Sequence, residues 1–366
     1  MHKSHGLLPL LALAFTAFAP HTAHATVFPI NCGVSGPTAA LQSQIISIGS
    51  SPGHTIAVSG TCVGDVDASR TDRLTISGLS LTGALTATAA NTLRFPNLTI
   101  DGPITLINTR NTVFTNTKIR GDIMLTRGSQ ASFNTITSSP WTDASGTHDP
   151  AFSCVGQSEC SLNWATLSGA GGTKTSVGVL AASASRLNFT AGQISGFGTG
   201  LQAWNNATAF VTANCDPITI AKNLVQGVTA LDSGVVKLFG TSKQDAIDLG
   251  CPGPVAIEIA SNGAYGVFTD GGGNAYLQNT SISGHKIDGV RIQHGSTMRV
   301  RSSKIDAAGG TGRSACVKAQ AHLYFDEQEA GPAAGSSLGG PVGVTGNATA
   351  DTDNSSTVIT VVASCP

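Results

Sequence analysis

Five glycines, Gly178, Gly200, Gly227, Gly266 and Gly289, each precede an apolar residue: Val179, Leu201, Val228, Val267 and Val290. Nine residues after each glycine comes Leu187, Ala209, Val236, Ala275 or Met298, and eleven after comes Phe189, Val211, Leu238, Leu277 or Val300. Ile194, Ile220, Ile259 and Ile282 precede the last four glycines by six or seven residues, and Ile305 follows Gly289 by sixteen. A spacing of two between apolar positions is the strand period, because successive side chains point to opposite faces. Each unit therefore predicts at least two short strands with one inward face, separated by a small residue: Ser185, Ala207, Gly234, Gly273 or Ser296. The basic unit is 22 or 23 residues, as from Gly178 to Gly200 or Gly266 to Gly289, within the range of solenoid repeats. No such unit can bury its inner face alone, so the units must stack. Two-strand units without a helix period stack as a β-helix.

Two units are longer, 27 residues from Gly200 to Gly227 and 39 from Gly227 to Gly266. Both extensions fall after the second strand, and they carry Cys215 and Cys251 respectively. Neighbouring rungs lie about 4.8 Å apart, so the register makes these loops neighbours and predicts a Cys215–Cys251 disulfide. For the other six cysteines, pairing along the chain is the simplest scheme in a solenoid, where contacts are local: Cys32–Cys62, Cys154–Cys160 and Cys316–Cys365. None of the spacings has the form of a CxxC zinc site.

Outside the repeat the pattern is looser. Pro37 with Leu41, Ile45 and Ile48 reads as a short amphipathic helix, with the proline in its first turn, that would cover the first rung. Leu74-Thr75-Ile76-Ser77-Gly78 and Leu98-Thr99-Ile100-Asp101-Gly102 repeat a strand-plus-glycine form, and Ile104 and Ile123 lie nineteen apart in rungs that look shorter and less regular. Residues 137–176 repeat least. They hold Trp141, Asp143, His148, Asp149, Cys154 and Cys160, and they read as a surface loop pinned by a local bridge in preference to an active-site loop. Leu162 and Trp164 precede Leu187 and Phe189 by 25, which places Trp164 in the core. The pattern fades after Lys318, and Val358-Ile359-Thr360-Val361-Val362 reads as a last strand.

Cys32, Leu41-Gln42, Ile45, Thr55-Ile56, Gly60-Thr61-Cys62 and Leu74-Thr75-Ile76-Ser77-Gly78, followed by glycine-led rungs, resemble bacterial secreted right-handed parallel β-helix proteins of the pectate-lyase-like superfamily. The resemblance covers nearly all of the chain after residue 25 and rests mostly on structural positions. It implies an all-β, right-handed parallel β-helix with an N-terminal helical cap. That superfamily includes polysaccharide lyases, hydrolases, epimerases, phage tailspikes and adhesins, so the fold does not choose an activity.

Organisation and compartment follow. Lys3, an apolar run from Leu7 to Ala19 and Ala23-His24-Ala25 read as a secretory signal ending at residue 25. The expected divisions are a signal peptide over 1–25, an N-terminal cap over 26–50, a β-helix over 51–320 and a C-terminal cap over 321–366. Eight cysteines in an exported chain favour disulfides. No later apolar run is long enough to span a membrane, and the signal itself predicts export, to the periplasm or outside the cell.

Charged residues are 11% of the chain and aromatics 5%, with a net charge of −1. A local charge cluster is therefore informative. Alternation puts two outward columns into basic and aromatic character towards the C-terminal end: Lys237, Tyr276 and Arg299 in one, Phe268 and Arg291 in the other. From His285 to Lys318 there are seven basic residues, Arg301 among them, opposed only by Asp288 and Asp306. Arginine forks match carboxylates and flat rings offer stacking surface. Lys237, Phe268, Tyr276, Arg291, Arg299 and Arg301 are therefore the candidate glycan-binding residues, with an anionic polysaccharide as partner. The competing reading is a solvated charged face that blocks edge-to-edge aggregation. Nucleic acid is a weaker partner, since the overall charge is not basic.

No reaction is evident. Glycoside hydrolysis needs two carboxyl groups across a bond. Polygalacturonases of the resembled superfamily carry paired aspartates with Gly-His-Gly and Arg-Ile-Lys motifs, and Gly284-His285-Lys286 and Arg291-Ile292-Gln293 match these only faintly. His285 reads as a turn residue. A calcium-dependent lyase would need several oxygen ligands, and only Asp270 and Asp288 come near one another in the register. The expectation is a non-catalytic glycan binder or surface scaffold without metal or cofactor. The alternative is a lyase, hydrolase or epimerase acting on an acidic glycan.

Overall fold

The computed structural model describes residues 26–34, 36–51, 53–139, 151–169, 174–310, 312–325, 336–352, 361–362 and 365. The signal segment and Trp141, Asp143, His148 and Asp149 lie outside the described residues. The chain is an all-β, right-handed parallel β-helix in which every named strand pairing is parallel.

Each rung contributes three strands. The glycine-led strands, such as Gln226–Leu231 and Tyr265–Asp270, stack into a sheet of 13 strands, here sheet 1. The strands nine to eleven residues later, such as Val235–Phe239 and Asn274–Gln278, form sheet 2. The isoleucine strands, such as Ile257–Ala260 and Thr280–Ser283, form sheet 3. Thr112–Arg120, Gln130–Ser139 and Glu159–Ser168 run through the corner between sheets 2 and 3, and so merge those two into one 24-stranded array.

The inward columns follow the sequence register. Leu187, Ala209, Val236, Ala275 and Met298 are successive partners, as are Val179, Leu201, Val228, Val267 and Val290. All are buried in one continuous core. In the first half the rungs are shorter, as expected, but they are regular: Leu85, Ile104 and Ile123 stack at intervals of nineteen. There the interior is filled by Phe95, Phe114 and Phe133, whose rings stack with centroids 4.8 and 4.5 Å apart.

The repeated glycine is explained by space. A Cβ on Gly227 would lie 2.6 Å from Ile259 Cγ2, 2.6 Å from Asn262 Nδ2 and 2.7 Å from the Gly266 carbonyl oxygen. Gly200 and Gly266 meet the equivalent atoms of Ile220 with Asn223, and of Ile282 with His285. The isoleucine column and the polar column behind it thus fill the room a side chain would need. That polar column is a buried ladder. The Asn223 side chain donates to Asn262 Oδ1 at 2.9 Å, and the Asn262 backbone N–H donates to His285 Nδ1 at 3.3 Å. His285 Nε2 therefore carries the proton and donates to the Ile259 carbonyl at 3.1 Å. His285 does sit between two strands, but it points inward and is 2% exposed. Burial pulls its pKa down from 6.5 to about 4.

At the N-terminal end, helix α1 (Ala39–Ile48) buries Leu41, Ile45 and Ile48. Pro37 is not in its first turn, because Gly36–Pro37 pairs as a short strand with Cys62–Val63 and the helix starts after Thr38. The Gln42 side chain exchanges two hydrogen bonds, of 2.9 and 2.8 Å, with the backbone of Asp67. Val66–Asp67 is the first strand of sheet 1, so this amide pairs with its open edge as a further strand would. Parallel pairing already begins at Val27–Asn31 and continues to Val361–Val362, so the ladder runs past residues 50 and 320 at both ends.

All four expected disulfides are present: Cys32–Cys62, Cys154–Cys160, Cys215–Cys251 and Cys316–Cys365. Cys215–Cys251 ties a corner loop to the end of helix α2 (Lys243–Leu249), which forms within the longest extension. Among the described residues no helix is long and apolar enough to cross a membrane.

Candidate functional site

Sheet 2 carries the clearest surface arrangement. Its central outward column runs Asn188, Phe210, Lys237, Tyr276, Arg299, Tyr324. In-register stacking places like positions about 4.8 Å apart, so a column of cations alone would repel itself. Here rings and cations alternate. Lys237 Nζ lies 5.1 Å from the centroid of Phe210 and 5.6 Å from that of Tyr276. The Arg299 guanidinium stands 5.9 Å from the Tyr324 ring, and Arg186, one column aside, 4.7 Å from Phe210. Each ring face attracts a cation while both stay accessible. Arg301 occupies the next outward column of the same sheet, after Thr212, Phe239 and Gln278.

The face continues towards the N-terminal end. There the same column passes through Ser161, Ser132, Val113 and Arg94. A groove of about 680 Å³ opens on it, lined mainly by uncharged polar side chains with Arg94 and Glu159. Alongside, the Asn163 amide donates to Asn134 at 2.6 Å and the Thr190 hydroxyl to Asn163 at 2.6 Å. On the sheet 3 side, α2 leans over the face, and a second groove of about 380 Å³ runs between Asp245, Asp248 and Leu249 of the helix segment and Phe239 and Gln278 of the sheet.

Four of the six residues expected from the sequence, Lys237, Tyr276, Arg299 and Arg301, thus share sheet 2. Phe268 and Arg291 stand together in an outward column of sheet 1, so the six do not make a single wall. Arg291 is committed within the protein. Its Nη1 donates to the Tyr265 hydroxyl at 2.7 Å, its guanidinium covers the Tyr265 ring at 5.1 Å, and it lies 3.7 Å from the Asp288 carboxylate. Arg313 bonds the same carboxylate at 2.9 Å, and Asp288 is fully buried. Burial, followed by the positive charge of Arg291, lowers the pKa of Lys318 beside them, while Asp288 opposes the shift. Asp270 and Asp288 do not converge on a cation position, since Asp270 pairs with His294 at 2.6 Å and with Gln293 at 3.0 Å. Among the described residues no three His, Cys, Asp or Glu side chains gather as a metal site would require.

Sequence reasoning passed over Phe210, Arg186 and Tyr324. Phe210 belongs to the same outward column, one rung before Lys237. Tyr324 lies in His322–Phe325, beyond the point where the repeat looked exhausted, yet that strand alternates as the earlier ones do. Trp164 is a correction. Leu162 pairs with Phe189 and Cys160 with Leu187, a spacing of 27, so the register expected from a spacing of 25 slips by two. Trp164 falls on the corner between sheets 2 and 3, with φ of 51°, and is 56% exposed. Trp204 also points outward, and its indole N–H donates to Asp232 at 2.5 Å.

No family model matches the sequence, and no curated protein does. Among solved structures, a point mutant of the periplasmic alginate epimerase AlgG is similar with a TM-score of 0.41 and 11% identity, covering 84% of this chain and 76% of that one. The parent AlgG structure gives a TM-score of 0.37 and 12% identity over the same shares, 84% and 76%. A second point mutant gives 0.34 and 11%, over 92% and 84%. Likenesses this distant carry no argument about activity.

Proposed function

We propose that this is an exported β-helix protein of the pectate-lyase-like kind that binds an acidic polysaccharide along sheet 2. One observation carries the reading: the column Phe210, Lys237, Tyr276, Arg299, Tyr324, in which accessible cations and rings alternate rung by rung. A rung spacing of about 4.8 Å is close to the length of one sugar, so successive rungs can meet successive residues of an extended glycan. Cations then meet carboxylates and rings meet pyranose faces. Four disulfides fit an oxidising compartment, and the first 25 residues are proposed as the signal removed on export.

The test is binding of polygalacturonate and of a neutral glucan, measured by calorimetry at low and at moderate salt. The acidic polymer should bind more tightly, and salt should weaken it. Lys237→Ala and Arg299→Ala should each reduce affinity by roughly 2- to 5-fold, the range of an exposed ion pair. Equal binding of both polymers, unaffected by either substitution, would remove the proposal. Unsaturated or newly reducing ends in the same mixtures would establish the catalytic alternative.

A further inference from the structure

We infer that Trp164 is a stacking platform for a pyranose ring at the flank of the sheet 2 track, a deepening that rests on the glycan-binding reading above. Its position in the fold is unusual for its residue type. At this corner the backbone turns through the left-handed region in rung after rung, at Asn97, Asn116, Thr135 and Trp164, with φ of 58°, 52°, 56° and 51°. Asparagine enters that region at little cost, whereas a bulky side chain is strained there. Strain of this kind persists where surrounding structure enforces it, and it concentrates at functional positions.

Packing does not repay that strain. The indole is 56% exposed, in a chain where aromatics are 5% of residues. What holds it is polar: its N–H donates to Asp216 Oδ2 at 3.2 Å. Asp216 follows Cys215, which is bonded to Cys251 at the end of α2. The indole therefore reaches along the corner to a loop that is itself fixed by a covalent bridge. An aromatic ring oriented through its edge and bare over much of its surface suits the apolar face of a sugar. Asn163, the preceding residue, belongs to the polar ladder on sheet 2, where it bonds Asn134 and Thr190. The ring is thus continuous with the proposed track.

The test uses galacturonate oligosaccharides of graded length with the full mature protein. Trp164→Asn relieves the backbone, so its Tm should equal or exceed that of the parent. Its affinity for the longer oligosaccharides should fall about 3- to 10-fold, the worth of one stacked ring. Trp164→Phe should retain most of the affinity. Asp216→Ala should lower affinity, with Tm preserved, because the ring loses its orientation. Unchanged affinity in Trp164→Asn, beside weakened binding in Arg299→Ala, overturns the platform and leaves the track standing. Unchanged affinity in both variants overturns the track as well. A Tm well below the parent in Trp164→Asn would show the indole to be a packing element and would also defeat the inference.

Discussion

Gly227→Ala tests why the chain repeats glycine at all. The backbone there is outside the left-handed region, so alanine meets no torsional objection. The objection is volume. The new methyl would stand 2.6 Å from both Ile259 Cγ2 and Asn262 Nδ2, and 2.7 Å from the Gly266 oxygen, where ordinary contacts are about 3.5–4.0 Å. Overpacking a close-packed site costs about 1–3 kcal/mol. Pushing Asn262 aside also strains its bonds to Asn223 and to the Ile220 carbonyl, at about 1 kcal/mol each. The expected loss is about 4 kcal/mol, a fall in Tm of roughly 5 °C for a chain of this size. Thermal unfolding followed by far-ultraviolet circular dichroism measures it. Gly253→Ala is the control, since a Cβ there meets nothing within 4 Å, and its Tm should not move. If the two variants melt together, the steric account of the repeat is wrong.

Three further outcomes follow from the buried groups. His285 has a folded pKa near 4 against 6.5 unfolded, so its contribution is complete above pH 6.5 and declines as pH falls to 4, by about 3 kcal/mol in all. Urea titrations across that window should show the decline, and His285→Asn, which matches Asn223 and Asn262 in the same column, should remove it. Asp288→Ala leaves Arg313 and Arg291 without their carboxylate in a buried setting and should cost about 3–5 kcal/mol in the same titrations, more than the paired Asp288→Ala, Arg313→Met variant. Replacing Cys215 and Cys251 with serine opens a closed loop with a separation of 36 residues, worth about 4 kcal/mol in the chain-entropy account, and should expose the α2 loop to trypsin at Lys243.

The inward columns could be read from sequence because each rung repeats the same contacts, so a residue's spacing states its neighbours. The Cys215–Cys251 bridge followed from that register. The reading failed where the register itself changed. The inward pair of that rung is Cys160 and Leu162, opposite Leu187 and Phe189; the disulfide cysteine did not count as an apolar position, so the pair was taken two residues late and Trp164 was placed inside. The nineteen-residue rungs looked irregular because Leu85, Ile104 and Ile123 recur without the Gly-Val signature used to find the later ones. The outward columns were correct one at a time. Which of them share a surface depends on how the corners turn, and for that reason Phe268 and Arg291 were grouped with residues of another sheet.

Cys32–Cys62 and Cys316–Cys365 staple the opposite extremities of the coil. A one-dimensional stack ordinarily loses order by unzipping from a free terminus, since a terminal unit has a neighbour on one side only. Here neither terminus can peel away without breaking a covalent bond. A reductant should therefore change the route of unravelling as well as its ease, turning a molecule that opens all at once into one that frays inward from its tips.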